Sequence, residues 1–136
     1  MTRADGPAVA GLCQALGYAC TPGELAERFE ALEGDAGHWL AVAEEDGVIV
    51  GWLHARIHAT LTSVSTAELT GLVVVEGARR RGVGQALVLE ARTWAQAAGC
   101  ARMRVRSNVN RDDARRFYER LGFSAVKNQT VFDSEV

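Results

Sequence analysis

Residues Arg79-Arg80-Arg81-Gly82-Val83-Gly84-Gln85 put three guanidinium groups and two glycines just before a helix-like run, Ala86 to Ala98. The apolar stretch Leu72-Val73-Val74-Val75 precedes them. A strand, a glycine turn and a helix start make an anion site. Glycines let backbone approach a phosphate closely. The first free N–H groups of the helix then point at it, aided by the helix dipole. Arginines add fixed charge and forked donors that match phosphate oxygens. The implied chemistry is capture of a phosphorylated ligand.

Two familiar glycine loops do not fit. A nucleoside-triphosphate loop needs Gly-x-x-x-x-Gly-Lys-Ser/Thr, and the only lysine is Lys127. A dinucleotide fingerprint needs a third glycine, where position 87 is Leu, and an acidic residue further on, where Arg102 to Arg106 offer arginines. By itself the loop also reads as a plain strand-to-helix turn with solvated arginines. The spacing Arg79-x-x-Gly82-x-Gly84 resembles the acetyl-coenzyme A motif of the GNAT superfamily of N-acetyltransferases. A second block, Ala114-x-x-Phe117-Tyr118-x-x-x-Gly122-Phe123, resembles that superfamily's last motif. The resemblance covers roughly residues 39 to 132.

The resemblance implies acetyl-coenzyme A as cosubstrate, no metal, and direct transfer of an acetyl group to a primary amine, of a small molecule first and of a protein or peptide second. A noncatalytic acyl-coenzyme A sensor is the alternative from another class. Acetyl transfer needs a deprotonated amine, a polarised carbonyl, donors for the oxyanion and a proton for the leaving thiolate. No cysteine lies in a recognisable nucleophile motif, which favours direct transfer. By its motif position Tyr118 is the general acid toward sulfur; an unperturbed tyrosine is protonated at neutral pH, as that role requires. As a bare residue it reads equally as a core aromatic bonded to backbone. By the same resemblance Leu72, Val73 and Val74 hold the pantetheine arm like an added strand, and one of their N–H groups is the oxyanion donor. Some histone-type members place a catalytic glutamate where Glu68 stands. Strand alternation puts Glu68, Thr70, Leu72 and Val74 on one face; a surface glutamate is the competing reading. His54 and His58 share a strand face as further proton carriers or as a solvated pair, and water is the remaining base. Many members carry an asparagine seven residues before the tyrosine. Here that position is Arg111, a cofactor contact or a cap, so the asparagine role is not carried over.

The elements that must position these groups alternate. Asp5 to Leu16 reads as a helix with Pro7 in its first turn and Gly17 as its stop. Thr21-Pro22-Gly23-Glu24 is a capping box opening a second helix to about Leu32. His38 to Glu44 and Val48 to about His58 read as strands joined by the hairpin turn Asp46-Gly47. Thr60 to Thr66 reads as a loop, and Ala67 to Val75 as a strand. Gly71 interrupts that strand, which signals a bulge, a close backbone approach or simple packing. In the long helix Leu87, Ala91, Trp94 and Ala98 form the expected buried stripe. Arg102 to Ser107 is a strand. Ala114, Phe117, Tyr118 and Leu121, at i, i+3, i+4 and i+7, make an apolar helix stripe; Asp112 or Asp113 caps it and Gly122 stops it. Ser124 to Phe132 reads as a closing strand. The resemblance implies an α/β fold, a GNAT-type mixed and mostly antiparallel sheet flanked by helices. Its usual first strand is short or missing, since only Met1 to Ala4 precede the first helix.

Composition agrees. At 136 residues and 48% hydrophobic content the chain reads as one domain, 1–136, with enough apolar mass for a core. No apolar run approaches the ~20 residues of a membrane span, and no secretory leader is recognisable. Cys13, Cys20 and Cys100 have no metal-like spacing and cannot all pair, so they read as thiols of a cytoplasmic protein. Residues 1–75 carry 3 Arg against 10 Asp/Glu, whereas residues 76–127 carry 11 Arg and 1 Lys against 5. The basic half suits a polyanionic cofactor and the acidic half a cationic amine. Nucleic acid is disfavoured, because the net charge is −2 and no binding module is recognisable. Family members often dimerise, so a homodimer is an expected state.

Overall fold

The computed structural model describes residues 1–15 and 17–136; Leu16, the expected last residue of the first helix, lies outside them. The chain forms two compact units, Met1–Val105 and Arg106–Val136.

In the first unit a short 3₁₀ turn leads into α1 (Gly6–Ala15), and Gly17 follows with a φ of +83°. The capping box forms before α2 (Pro22–Leu32): Thr21 Oγ1 accepts the Glu24 N–H at 3.2 Å, and the Glu24 carboxylate accepts the Thr21 N–H at 2.9 Å. Strands β1 (His38–Glu45) and β2 (Val48–Thr60) join through Asp46 and Gly47, whose φ values of +49° and +78° make the turn that right-twisted strands prefer. β3 (Ser63–Val74), α3 (Val83–Ala97) and β4 (Arg102–Val105) complete the unit. The sheet order is β1-β2-β3-β4, antiparallel except for the parallel β3/β4 pair. Among the described residues no strand precedes α1; the Met1 amino group donates to the Leu40 carbonyl at 3.1 Å.

The expected loop at 60–66 is largely strand. Thr60 pairs with Ser63, their hydroxyls lie 2.7 Å apart, and only Leu61 and Thr62 turn. Threonine and valine favour extended backbone, so polarity alone misjudged this segment.

Register explains which side chains share a face. Paired residues in antiparallel strands point the same way. One face carries Trp39, Gly51, Leu53, Ala55 and Leu69, and α3 covers it: Trp94 stacks on Trp39 at 6.4 Å, and Val83 lies against Gly51. The residues of α3 that bury are Val83, Leu87, Val88, Ala91 and Ala95. Trp94 is only half-buried and Ala98, the C-cap, is exposed, so the expected stripe was rotated by part of a turn. The other face carries Val42 and Trp52, which pack on Val9, Cys13 and Cys20.

In the second unit α4 (Asp112–Arg120) begins at Asp112 with Arg111 as N-cap, so both aspartates lie in the first turn and neither caps it. They still oppose the positive helix end. Its C-terminus closes as expected on Gly122, φ +85°. Gly122 N–H donates to Glu119 and Phe123 N–H to Tyr118, each at 3.0 Å, the paired bonds of a Schellman end. Ala114, Phe117, Tyr118 and Leu121 are the partly buried residues of this segment, as their spacing predicts. The expected strand at Ser124–Phe132 is absent, and Val126, Val131 and Phe132 are exposed. A strand exists through its ladder partner, and Lys127-Asn128-Gln129 breaks the apolar alternation that would bury one face.

Candidate active site

The arginine-glycine turn sits in the first unit between β3 and α3. Gly82 is the N-cap of α3 with φ +82°, and Arg80 also takes a positive φ, +65°. Left-handed backbone in a turn gathers successive N–H groups into an anion-binding concavity. The first helical bond runs from Ala86 N–H to Gly82 C=O at 2.9 Å. The amides of Val83, Gly84 and Gln85 therefore have no partner within the helix, and no side chain caps them. The space where a Gly82 side chain would stand is open.

The three arginines divide the work. Arg79 Nε donates to the Val74 carbonyl at 3.1 Å and braces the turn against β3. Arg81 pairs with Glu45 at 2.7 Å and ties the turn to β1. Arg80 is exposed, with no ion-pair partner among the described residues.

The end of β3 leads into this turn. β4 pairs with β3 only over Thr66–Leu69, so beyond Leu69 that edge has no strand partner among the described residues. The expected bulge is present: His54 pairs with Gly71 and Ala55 with Leu69, leaving Thr70 as the extra residue. Val75 N–H donates to Val50 O at 2.9 Å. Alternation along an antiparallel ladder then turns the peptide groups of Val73 toward β2 and those of Leu72 and Val74 away from it. The Val74 carbonyl is accordingly free to take Arg79. Of the three expected backbone contacts, Leu72 and Val74 face the open edge; Val73 does not, and its side chain is buried.

The bulge also reverses the phase of the strand. Leu69 and Leu72 pair with Ala55 and Leu53 on the α3 face. Glu68 lies on the other face with Gly71 and Val73, so the expected grouping of Glu68, Thr70, Leu72 and Val74 is wrong. Glu68 is no surface residue: it is 4% exposed, and its Oε2 accepts from Arg56 Nη2 at 3.1 Å and Nε at 3.4 Å.

Beside that ion pair, on the same face, His54 Nε2 and His38 Nδ1 lie 2.9 Å apart. Burial pushes the His54 imidazole below its ordinary range, and the charges of His38 and Arg56 push it the same way. Sequence reasoning paired His54 with His58 and missed His38. The turn alone could not show it: counted from Asp46-Gly47 the hairpin would pair His38 with Ala55, and an irregularity between Ala43 and Glu44 shifts the register so that His38 pairs with Arg56, diagonal to His54. Gly71 packs tightly: a Cβ there would lie 2.6 Å from Cζ3 and Cη2 of Trp52.

In the second unit the Tyr118 ring meets Phe117 and Phe123 edge-on, at 5.1 and 5.5 Å. Burial raises the hydroxyl above its ordinary range, and the Arg111 charge opposes that only in part. The hydroxyl donates to no group among the described residues, unlike the backbone-bonded tyrosine of the structural reading. Arg111 ion-pairs loosely with Asp113 at 3.7 Å. Among the described residues no three His, Cys, Asp or Glu gather as a metal site, and no helix is long and apolar enough to cross a membrane.

A family model described as acetyltransferase (GNAT) family matches residues 11–123. A transcriptional regulator from Bacillus halodurans C-125 is 26% identical, over 98% of this chain and 96% of that one, with a TM-score of 0.88. The aminoglycoside N-acetyltransferase AAC(6')-Iy in complex with CoA is 21% identical over 100% and 92%, with a TM-score of 0.90. Glucosamine-6-phosphate N-acetyltransferase from Arabidopsis thaliana is 20% identical over 99% and 95%, with a TM-score of 0.84. The last two likenesses bear on the fold alone. No curated protein matches the sequence.

Proposed function

Because the chain belongs to the acetyltransferase (GNAT) family, we propose that it moves an acetyl group from acetyl-coenzyme A directly to a primary amine of a small molecule. One observation carries the cofactor half of this reading: an unpaired strand edge that runs into an uncapped helix N-terminus. Coenzyme A has the complementary form, an amide-bearing arm ending in a pyrophosphate. The arm's amides pair with Leu72 and Val74 as an added strand. The pyrophosphate takes the amides of Val83, Gly84 and Gln85 at the positive end of α3. Arg79 and Arg81 hold the turn in shape, Arg80 supplies an uncommitted positive charge, and Arg111 is the further contact proposed by motif position.

For the chemistry, a Leu72 or Val74 N–H polarises the thioester carbonyl and holds the oxyanion. Tyr118 protonates the departing thiolate, a role supported by a hydroxyl that stays protonated at neutral pH and has no competing acceptor. Glu68, the proposed base by motif position, is engaged by Arg56, so the proton acceptor has to be chosen among Glu68, a histidine and water. The acidic first 75 residues suit a cationic acceptor, and two structural neighbours are named for amine-bearing sugars. The protein is proposed to act in the cytoplasm and, as family members often do, as a homodimer.

A second reading, a noncatalytic acyl-coenzyme A sensor, draws on the neighbour described as a transcriptional regulator. Thiol release from acetyl-coenzyme A, measured with glucosamine, neamine, spermidine and lysine-bearing peptides, separates the readings. Release with a small amine is expected. Release with peptides alone favours protein acetylation, and tight coenzyme A binding without release from any amine favours the sensor.

A further inference from the structure

We propose that His38 and His54 form a proton relay in which His54 Nδ1 is the catalytic base for the substrate amine and His38 positions it and carries the proton onward. The inference rests on the acetyltransferase reading and fills the role that reading leaves open.

Three features of the sheet lead to it. First, His54 pairs with Gly71, at the point where β3 bulges and parts from β4. It therefore lies in the strand beside the open edge, next to the residue that precedes Leu72. Second, the rings are committed to each other in one way only. Each neutral imidazole has one N–H and one lone pair. The 2.9 Å contact between His54 Nε2 and His38 Nδ1 uses one of each. The outer nitrogens, His54 Nδ1 and His38 Nε2, keep one lone pair and one N–H between them, and neither has another partner among the described residues. Third, Glu68 is occupied: its Oε2 accepts both donors of Arg56.

The groups around His54 keep it neutral. His38 faces it from β1, Arg56 adjoins it on β2 with His58 beyond, and Glu68 on β3 is taken up by Arg56. Burial first, then His38 and Arg56, lower its proton affinity, which favours a bare nitrogen at neutral pH.

The step balances. An ammonium substrate gives a proton to His54 Nδ1. The His54 Nε2 proton passes to His38 Nδ1, and the His38 Nε2 proton passes to water. The amine is left with its lone pair for attack on the thioester. Uptake of a proton at His38 Nε2, return of the bridging proton from His38 Nδ1 to His54 Nε2 and loss of the Nδ1 proton from His54 to water restore the starting tautomers.

Imidazole ¹⁵N–¹H spectra of the free protein and pH–rate profiles with glucosamine, neamine and spermidine test this together. At pH 7 His54 should be neutral with Nδ1 bare. His54→Gln should lower kcat by about 10²-fold, partly recovering as pH approaches the amine's own pKa, with KM for acetyl-coenzyme A nearly unchanged. His38→Gln removes the ring that receives the His54 Nε2 proton and that helps hold the His54 titration low, so the acid limb of kcat/KM and the His54 titration should both move to higher pH. A purely structural His38 would leave both in place, which overturns the relay. A His54→Gln profile parallel to wild type also overturns it, with the acetyltransferase reading intact. Wild type that releases thiol with none of these amines overturns that reading and the relay with it. If His54→Gln does not fold, the wild-type spectra decide: His54 charged or protonated at Nδ1 at pH 7 refutes the assignment.

Discussion

Gly71→Ala is the sharpest test of the geometry beside the open edge. Its backbone is not left-handed, so an alanine meets no local strain there. Considered locally, the substitution should stabilise by about 0.4–1 kcal/mol, because alanine has less freedom to lose on folding. The neighbour reverses the sign. The new methyl would lie 2.6 Å from Cζ3 and Cη2 of Trp52, whereas carbon atoms rest at about 3.5–4.0 Å. The indole must retreat by about 1 Å, against the core it packs on. Trp52 packs on Val9, Cys13 and Cys20, and its Nε1 is buried. Overpacking by one such group costs about 1–3 kcal/mol, which outweighs the entropic gain. The net loss should lower the urea midpoint by roughly 0.5–1 M at unchanged slope and Tm by roughly 3–10 °C. Trp52→Phe removes the ring edge that the methyl strikes, so adding Gly71→Ala in that background should cost less than in wild type. A Gly71→Ala protein as stable as wild type, or additive effects of the two changes, would refute the packing argument.

Three further outcomes are expected. Gly84→Asp sets a carboxylate among the amides proposed to hold the pyrophosphate, so coenzyme A affinity measured by calorimetry should fall more than about 100-fold; an acidic residue in a helix's first turn is otherwise tolerated, and thermal stability should hold. Tyr118→Phe should lower turnover by about 10²–10⁴-fold while Tm and coenzyme A affinity stay near wild type, because the hydroxyl bonds to no described group; full turnover would remove Tyr118 from the mechanism. The depressed His54 titration favours folding above the unfolded-state value of about 6.5, and that stability is lost as pH falls through the lower folded-state value. Between pH 7 and 5, denaturant midpoints of wild type should therefore fall further than those of His54→Gln, and equal slopes would contradict the burial of His54.

What the sequence made legible was what a few adjacent residues decide. The capping box at Thr21, the turn at Asp46-Gly47 and the Gly122 helix end each need only their own chemistry and backbone angles. The left-handed glycine turn and helix start at Gly82 to Gln85 were readable for the same reason. The unpaired segment 124–136 fails on the opposite ground. Its residues tolerate extension, but whether a strand forms depends on a partner that its own residues do not specify.

The site itself turned on one residue of register. Up to Leu69, alternation correctly sends Ala67 and Leu69 to the covered face and Glu68 to the other. Thr70 then adds a residue with no opposite number, and every side chain after it changes face. Gly71 announced an irregularity, but a glycine does not say whether it bulges, packs or both; here Thr70 bulges and Gly71 makes room for Trp52. The consequence is chemical. Without the bulge, Glu68 would share a face with Leu72 and Val74, and a carboxylate base would be the economical choice. With it, Glu68 shares a face with His38, His54 and Arg56, where Arg56 claims the carboxylate and the two imidazoles are left to each other. A single extra residue thus underlies the proposal that the base lies on the strand beside the one that carries the motif.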